Sequence, residues 1–406
     1  MNKRTIAVFT GNRAEYGLQY PILRALDAHP DLEYRLVVSG AHLDDRFGRT
    51  LEEIRNDGFR VEVEVKIEMG ADSQVATARA IGSGVLAVSE ALNALKPDIF
   101  VVYADRFEAF AAMIASTQMN IPTAHIEGGD LTEGGALDDS VRHAMTKLAH
   151  LHFTTNQQAT NRVLGLGEEP WRVHTVGFPA IDLISEGRFA QADEVVTRLN
   201  LDLTRPIVLF TQHSVTTEFE SAAAQVRPSL QALRTLAANG VQAIVTYPNN
   251  DAGGRRIIEE LDALQREAPP GVQVHRSLGR HLYHGVLALA RVPTARVACA
   301  GNSSSGIKET PAFGCPAVNI GSRQDGRLRG DNVIDASYDS AAIAAALTRC
   351  FEDGAFRDRC KTADNPYYMG DAGRKIAAVL STVALNQALL RKSMTLRGDA
   401  RDGWFR

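Results

Sequence analysis

No long uninterrupted hydrophobic run occurs in this chain; nothing approaches the ~18 apolar residues a membrane helix needs. The opening Met1-Asn2-Lys3-Arg4 and the apolar Thr5 to Thr10 are too short for a signal peptide, and Arg13 and Glu15 interrupt them at once. Cysteine is scarce. Cys299, Cys315, Cys350 and Cys360 are the only four in 406 residues, and they have neither metal-ligand spacing nor the density of a disulfide scaffold. A reduced, cytoplasmic setting is expected. Basic residues are not in excess either: 44 Lys and Arg against 48 Asp and Glu give a formal charge of −4, with no basic run. That excludes a nucleic-acid footprint and leaves any anionic ligand to be a small molecule, held by a few arginines and helix N-termini. Walker and dinucleotide glycine patterns are missing, and no short-period repeat is visible.

What is present is alternation, in a chain long enough for two domains. Apolar strands are predicted at Ile6–Thr10, Leu32–Ser39, Val61–Ile67, Ile99–Tyr103, Ile121–Ile126 and His152–Thr155. Helical patterns fall between them at 17–28, 50–57, 72–95, 108–118 and 139–149. After the Gly/Pro punctuation at Val176-Gly177-Phe178-Pro179 the alternation restarts with strands at 206–211, 243–247, 297–300 and 317–320 and helices at 221–238 and 255–267. Such alternation builds parallel sheets covered by helices, and open sheets of this kind bind ligands at the carboxyl ends of their strands. The polar tail 396–406 is expected to fray.

The loops at those ends carry the chemistry-bearing residues. The richest is His125-Ile126-Glu127-Gly128-Gly129-Asp130, followed by Asp138-Asp139-Ser140-Val141-Arg142-His143. Acidic groups flanking a Gly-Gly pair favour a site, because glycine lets backbone approach a ligand closely. Arg13 and Glu15 follow the first strand. Asp105 and Arg106 follow the Ile99 strand, where Asp105 is either a helix N-cap or a functional acid and Arg106 either a surface charge or a carboxylate clamp. Gln212-His213-Ser214 follows the first strand of the second half, where a histidine suits phosphate binding or proton transfer. Gly301-Asn302-Ser303-Ser304-Ser305-Gly306 opens a helix with free N–H groups and hydroxyls suited to a diphosphate. Glu309 on that helix suits a ribose diol, and Arg323 beyond the last apolar strand suits the phosphates.

In this order, the motifs resemble the hydrolysing UDP-N-acetylglucosamine 2-epimerases, including the sialic acid branch and the epimerase half of the bifunctional animal enzyme. The similarity runs from about Ile6 to about Gly373. It is carried by Arg13-Ala14-Glu15-Tyr16, Gly40-Ala41-His42-Leu43, Asp105-Arg106-Phe107, His125 to Gly129, Asp139 to Ala144, Gln212 to Thr217 and Gly301 to Ser304. The resemblance implies a GT-B-like α/β fold, two Rossmann-like doubly wound domains with an interdomain cleft. On that basis residues 1–178 form a sugar-side domain and 179–372 a UDP-side domain, while 373–395 form a helix packing back on the first and 396–406 a tail. It implies no cofactor and no metal, a UDP-sugar substrate and a homodimer or homotetramer. The implied reaction removes the C2 proton, expels UDP to give a glycal, and adds water to leave the free manno epimer. Asp105, Glu127 and Asp138 carry over as the acidic groups, their individual roles unassigned, and His213 as general acid or electrostatic clamp near the diphosphate. Arg13, Glu15, Arg106, Arg142, His143, Ser303, Ser304, Glu309 and Arg323 carry over as substrate contacts.

Two departures bear on this. Many relatives have His-Ile-His-Gly-Gly-Glu, so Asp130 competes with Glu127. The loop 131–137 is also about two residues longer than in the animal enzyme, which leaves open whether Asp138 or Asp139 points inward. The sugar stays undecided between UDP-N-acetylglucosamine and a UDP-2,4-diacetamido-2,4,6-trideoxy sugar of a legionaminic acid route. A GT-B glycosyltransferase is the competing enzyme class; a sensor without turnover would lack the acidic cluster.

Overall fold

The computed structural model describes residues 3–44, 50–68, 74–131, 137–249 and 253–395. The longer loop at 132–136 and the tail 396–406 lie outside them. Two compact units form: the first from Met1–Asp130, Asp138–Asp182 and Tyr367–Arg406, the second from Leu131–Leu137 and Leu183–Pro366.

In the first unit the chain runs β1 (Arg4–Thr10), α1 (Arg13–Asp27), β2 (Leu32–Ser39), α2 (Leu51–Asn56), β3 (Val61–Val65), α3 (Gln74–Leu95), β4 (Ile99–Tyr103) and α4 (Phe107–Gln118). It continues through β5 (Thr123–Ile126), α5 (Leu137–Leu148), β6 (Leu151–Thr154), α6 (Gln157–Gly165) and β7 (Val173–Thr175), and α7 (Ala180–Ser185) leads onward. The sheet order is β3-β2-β1-β4-β5-β6-β7, and the pairings are parallel, with Ile6 opposite Ile99 and Tyr103 opposite Ile126. Helices cover both faces of such a sheet at its centre, so its central strands are apolar; β4, Ile-Phe-Val-Val-Tyr, is buried at every residue. The strand order reverses between β1 and β4, which opens a crevice at their carboxyl ends.

α1 begins earlier than the sequence pattern suggests. Asn12 caps it by accepting from the Glu15 amide at 3.1 Å, so Arg13 and Glu15 belong to its first turn rather than to a loop. α3 is the one described helix long and apolar enough to cross a membrane by length and composition, with mean hydropathy 1.3 over Val75–Leu95. Arg79 and Glu90 lie within it, and it packs along α4.

The second unit contains α8 (Ala192–Leu199), β8 (Ile207–Thr211), α9 (Ala222–Ala238), β9 (Gln242–Thr246), α10 (Gly254–Glu267), β10 (Val272–His275) and α11 (Gly279–Ala288). β11 (Val297–Gly301), the short helices α12 (Ser305–Lys308) and α13 (Thr310–Phe313), β12 (Ala317–Ile320), β13 (Val333–Ala336), α14 (Ser340–Glu352) and α15 (Gly354–Lys361) complete it. Its parallel sheet has the order β10-β9-β8-β11-β12-β13, placing the reversal between β8 and β11.

The chain then returns to the first unit through α16 (Ala372–Thr382) and α17 (Gln387–Leu390). The limits fall at Asp182 and Tyr367 rather than at 178 and 373, because hydrogen bonds tie these segments together. Phe178 N donates to Tyr367 O at 2.8 Å, and the Asp182 carboxylate accepts from the Ala372 and Gly373 amides at the start of α16. α16 lies on α1 so closely that a Cβ on Gly373 would sit 2.6 Å from Pro21 O. Fully buried Arg172 then holds the end of the described chain, donating to Leu389 O at 2.7 Å and Ala388 O at 2.6 Å.

Candidate active site

At the carboxyl edge of the first sheet, two adjacent strands end in left-handed kinks at residues other than glycine: Ala104 after β4, with φ 54, and Glu127 after β5, with φ 68. Such backbone costs roughly 1–3 kcal/mol per residue and clusters at functional sites. The kinks are held in place. Ala104 N donates to Ile126 O at 3.0 Å and Glu127 N to Phe153 O at 2.9 Å.

Past the kinks, an acid cluster gathers around one guanidinium. Arg142, 3 % exposed on α5, pairs with Asp105 and donates to Asp139 Oδ1 at 3.1 Å and Asp130 O at 2.6 Å. Burial alone would lower its pKa, but Asp105, Asp130, Glu127 and Asp139 outweigh burial and raise it. Glu127 and Asp130 are buried, and Asp105 keeps 14 % side-chain exposure. The Tyr103 phenol is pushed well above its ordinary range, first by burial and then by Glu127 beside it.

Several expected contacts take a different form. Asp105 is not the cap of α4; Arg106 holds that position, and Arg106 Nε lies 3.6 Å from the Glu108 carboxylate. Glu15 faces inward. Its Oε2 accepts from Gly11 N at 2.8 Å, and burial, then the neighbouring Glu108, pushes its pKa up to about 8. Between Asp138 and Asp139, it is Asp139 that bonds Arg142, while Asp138 sits half-buried beside it in the first turn of α5. His143 is half-buried, and burial lowers its pKa. Arg13 opens α1, but its side chain lies outside the described residues. The glycine pair serves protein packing: a Cβ on Gly129 would lie 2.3 Å from Ala159 O, and one on Gly128 2.8 Å from Thr146 Oγ1.

In the second unit the corresponding edge is built mainly from amide, hydroxyl and backbone groups, with Arg323 and Glu309 as its charged members. Asn302 after β11 and His213 after β8 exchange two bonds, His213 N to Asn302 Oδ1 at 2.6 Å and Asn302 Nδ2 to His213 O at 2.9 Å. His213 Nδ1 accepts from the Asn249 amide at 3.0 Å. The same nitrogen lies 3.1 Å from Asn249 Oδ1, so Asn249 holds the ring from both its backbone and its side chain. Gly301 is required where it stands, with φ 122 and a hypothetical Cβ 1.9 Å from Thr211 O. Ser304 caps α12 without a side-chain bond, and Ser303 Oγ accepts from Ser305 Oγ at 3.1 Å. Glu309 joins α12 and α13; it is 7 % exposed, and its Oε2 accepts from His284 Nε2 at 2.9 Å. Arg323 and buried Gln324 both donate to Asn302 O, at 3.2 and 2.8 Å. Asn302 lies in the glycine-flanked hydroxyl loop and Gln324 beside Arg323, neither of them singled out by the sequence, and His284 had no motif to announce it; each is a single polar residue whose partners are distant in sequence.

The family model described as UDP-N-acetylglucosamine 2-epimerase matches residues 24–381. The chain belongs to the UDP-N-acetylglucosamine 2-epimerase family. It is 34% identical over 368 residues to the Legionella pneumophila UDP-N,N'-diacetylbacillosamine 2-epimerase (hydrolyzing), covering 88% of this chain and 94% of that one. To the Neisseria meningitidis UDP-N-acetylglucosamine 2-epimerase it is 30% identical, covering 91% and 92%. In fold it is similar to the crystal structure of the Neisseria meningitidis UDP-GlcNAc 2-epimerase bound to UDP-GlcNAc, with TM-score 0.78 at 17% identity over 93% of this chain and 99% of that one. The two parallel sheets with alternating helices are thus the GT-B-like arrangement of Rossmann-like domains found in this 2-epimerase family.

Proposed function

We propose that the protein is a hydrolysing 2-epimerase that converts a UDP-2-acetamido sugar to UDP and the free manno epimer. The observation that carries this is the Arg142-centred cluster of Asp105, Glu127, Asp130 and Asp139, at the carboxyl edge of a sheet whose strands end in strained turns. A C2–H beside an acetamido group is weakly acidic, so a carboxylate must take the proton as the C1–O bond breaks and UDP leaves with the electron pair. The glycal then gains water, OH at C1 and a proton on the opposite face of C2. Asp105, Glu127 and Asp138 are the candidates for proton removal and water activation, with Asp130 and Asp139 as neighbouring alternatives. The Arg142 guanidinium holds Asp105 and Asp139 in place through its ion pairs with them.

The nucleotide falls to the second unit in this proposal: Ser303 and Ser304 with Arg323 for the diphosphate, Glu309 for the ribose, and His213 as general acid or electrostatic clamp near the departing phosphate. Arg13, Arg106 and His143 are retained as sugar or phosphate contacts, and Glu15 as support from beneath.

The sugar is proposed as UDP-N-acetylglucosamine or its 2,4-diacetamido-2,4,6-trideoxy relative. Identities of 34% and 33% to diacetylbacillosamine epimerases, against 30% to a UDP-N-acetylglucosamine epimerase, support testing the second sugar on equal terms. Incubation with each UDP-sugar in deuterated water decides. Release of UDP with a manno product deuterated at C2 is expected; a gluco product keeping its C2 hydrogen would indicate a glycosidase or transferase instead.

A cytoplasmic homo-oligomer completes the proposal. Four buried free cysteines suit a reducing compartment. Val75 and Leu86, 62% and 70% exposed on apolar α3, suit contact with a second copy. Sedimentation of wild type and Leu86→Asp tests this, a monomeric wild type being the contrary result.

A further inference from the structure

Completely buried His125 on β5 lies against the segments that carry both members of the Asp105–Arg142 pair, the Ala104 carbonyl on one side and the Thr146 hydroxyl of α5 on the other. Its Nε2 lies 2.7 Å from Ala104 O, the carbonyl immediately before Asp105. Its Nδ1 lies 3.2 Å from the hydroxyl of Thr146, which is one helical turn beyond Arg142 and within 3.0 Å of the Arg142 carbonyl. A carbonyl only accepts, so the ring proton sits on Nε2, and the single proton of the Thr146 hydroxyl goes either to Nδ1 or to the Arg142 carbonyl. The ring therefore bridges the strained end of β4 to the helix bearing the guanidinium. It is packed there, since any Cβ on Gly128 would come within 3.0 Å of Nδ1.

We propose that His125 is a positioning residue that locks the Ala104 turn and α5 in the register at which Asp105 meets Arg142, exchanging no proton during turnover. This rests on the proposed 2-epimerisation. Without the ring, Ala104 loses the bond fixing its left-handed conformation, and Asp105 moves relative to the guanidinium. Misplacement of a catalytic group by about 1 Å costs on the order of 10² in rate. Burial pushes the imidazole down to about 3, so it stays neutral at any working pH, as a strut should.

Three measurements on the full chain test this. In wild type, ¹⁵N-histidine NMR should show His125 as the Nε2–H tautomer, unchanged from pH 5.5 to 9. A ring that titrates in that range overturns the proposal. Guanidinium hydrogen exchange at Arg142 should accelerate in His125→Leu and stay near wild type in His125→Gln, whose amide can still donate to Ala104 O. Equal exchange in all three proteins also overturns it. This arm needs no turnover, so it stands even if wild type releases no UDP, a result that would instead refute the proposed function. In active protein, His125→Leu should lose about 10² in kcat with KM within roughly threefold and both limbs of the pH profile in place. His125→Gln should recover most of the loss; a displaced limb would make His125 a proton-transfer group.

Discussion

The two sheet edges are built from the same topological position but from different materials. In the first unit, carboxylates crowd one buried guanidinium, and the two strands beneath end in strained backbone. In the second, Asn302, His213, Gln324 and the serines form a lattice of backbone and amide bonds around Gly301, with Arg323 donating into it and no cluster of carboxylates among its described residues. Groups that exchange protons must change charge during a cycle, so they are surrounded by other charges that tune them. Groups that hold an anionic leaving group need oriented dipoles that do not change. Under the proposed function, the contrast reads as a division of labour: chemistry in the first unit, nucleotide binding in the second.

The largest effect that would break this contrast is expected at Glu127. Glu127→Gln should lower turnover by about 10²–10⁴ with UDP affinity unchanged by calorimetry. Normal turnover would move the acidic role to Asp130. Next comes Arg142→Met, which leaves Asp105 and Asp139 crowded without their cation. Removing one partner of a buried pair costs about 3–5 kcal/mol, so both thermal stability and kcat should fall, and unchanged melting would deny the cluster its cohesion. The second unit should respond differently. Glu309→Ala should weaken UDP binding by roughly 10–100-fold, the worth of a hydrogen bond to a charged group, and lower kcat little. A collapse of kcat at constant UDP affinity would place chemistry there too.

How much of this was legible in the sequence follows from burial. β4 and β8 were readable as unbroken apolar runs because both of their faces are covered. The edge strands β7, β10 and β13 were missed: Val-His-Thr, Val-Gln-Val-His and Val-Ile-Asp-Ala are half-exposed and carry polar residues, so neither a run nor a clean alternation appears. Around the site, motif order marked Asp105, Glu127, Asp138 and Arg142, with Asp130 and Asp139 as competitors, because they lie in motifs strung along the chain. It gave no hint that His125 would be a buried strut, or that Glu15 would turn inward beneath the Asn12 cap. The His125 contacts join segments 21 residues apart, and the setting of Glu15 includes Glu108 of α4 as well as its local bonds to Gly11 and Asn12, so spacing along the chain encodes neither.

Glu15 supplies the smallest effect, one that sharpens the contrast without altering turnover directly. Its carboxyl is buried beside Glu108 and titrates at about 8, first because of desolvation and then because of that neighbour. In the unfolded chain the same group titrates near the ordinary glutamate value, so between about pH 4.5 and 8 the native state holds the extra proton. Stability contributed by this group is therefore fully present below the unfolded pKa and is lost as pH rises to about 8, with no further change above. Glu15→Gln keeps an acceptor for Gly11 N and removes the charge. Its melting temperature should match wild type near pH 5 and exceed it by several degrees near pH 8.5, an advantage on the order of 1–3 kcal/mol. Parallel melting curves across that range would mean that Glu15 is ionised in the native state, and that the first unit carries one more negative charge beneath its acid cluster than the burial of this residue implies.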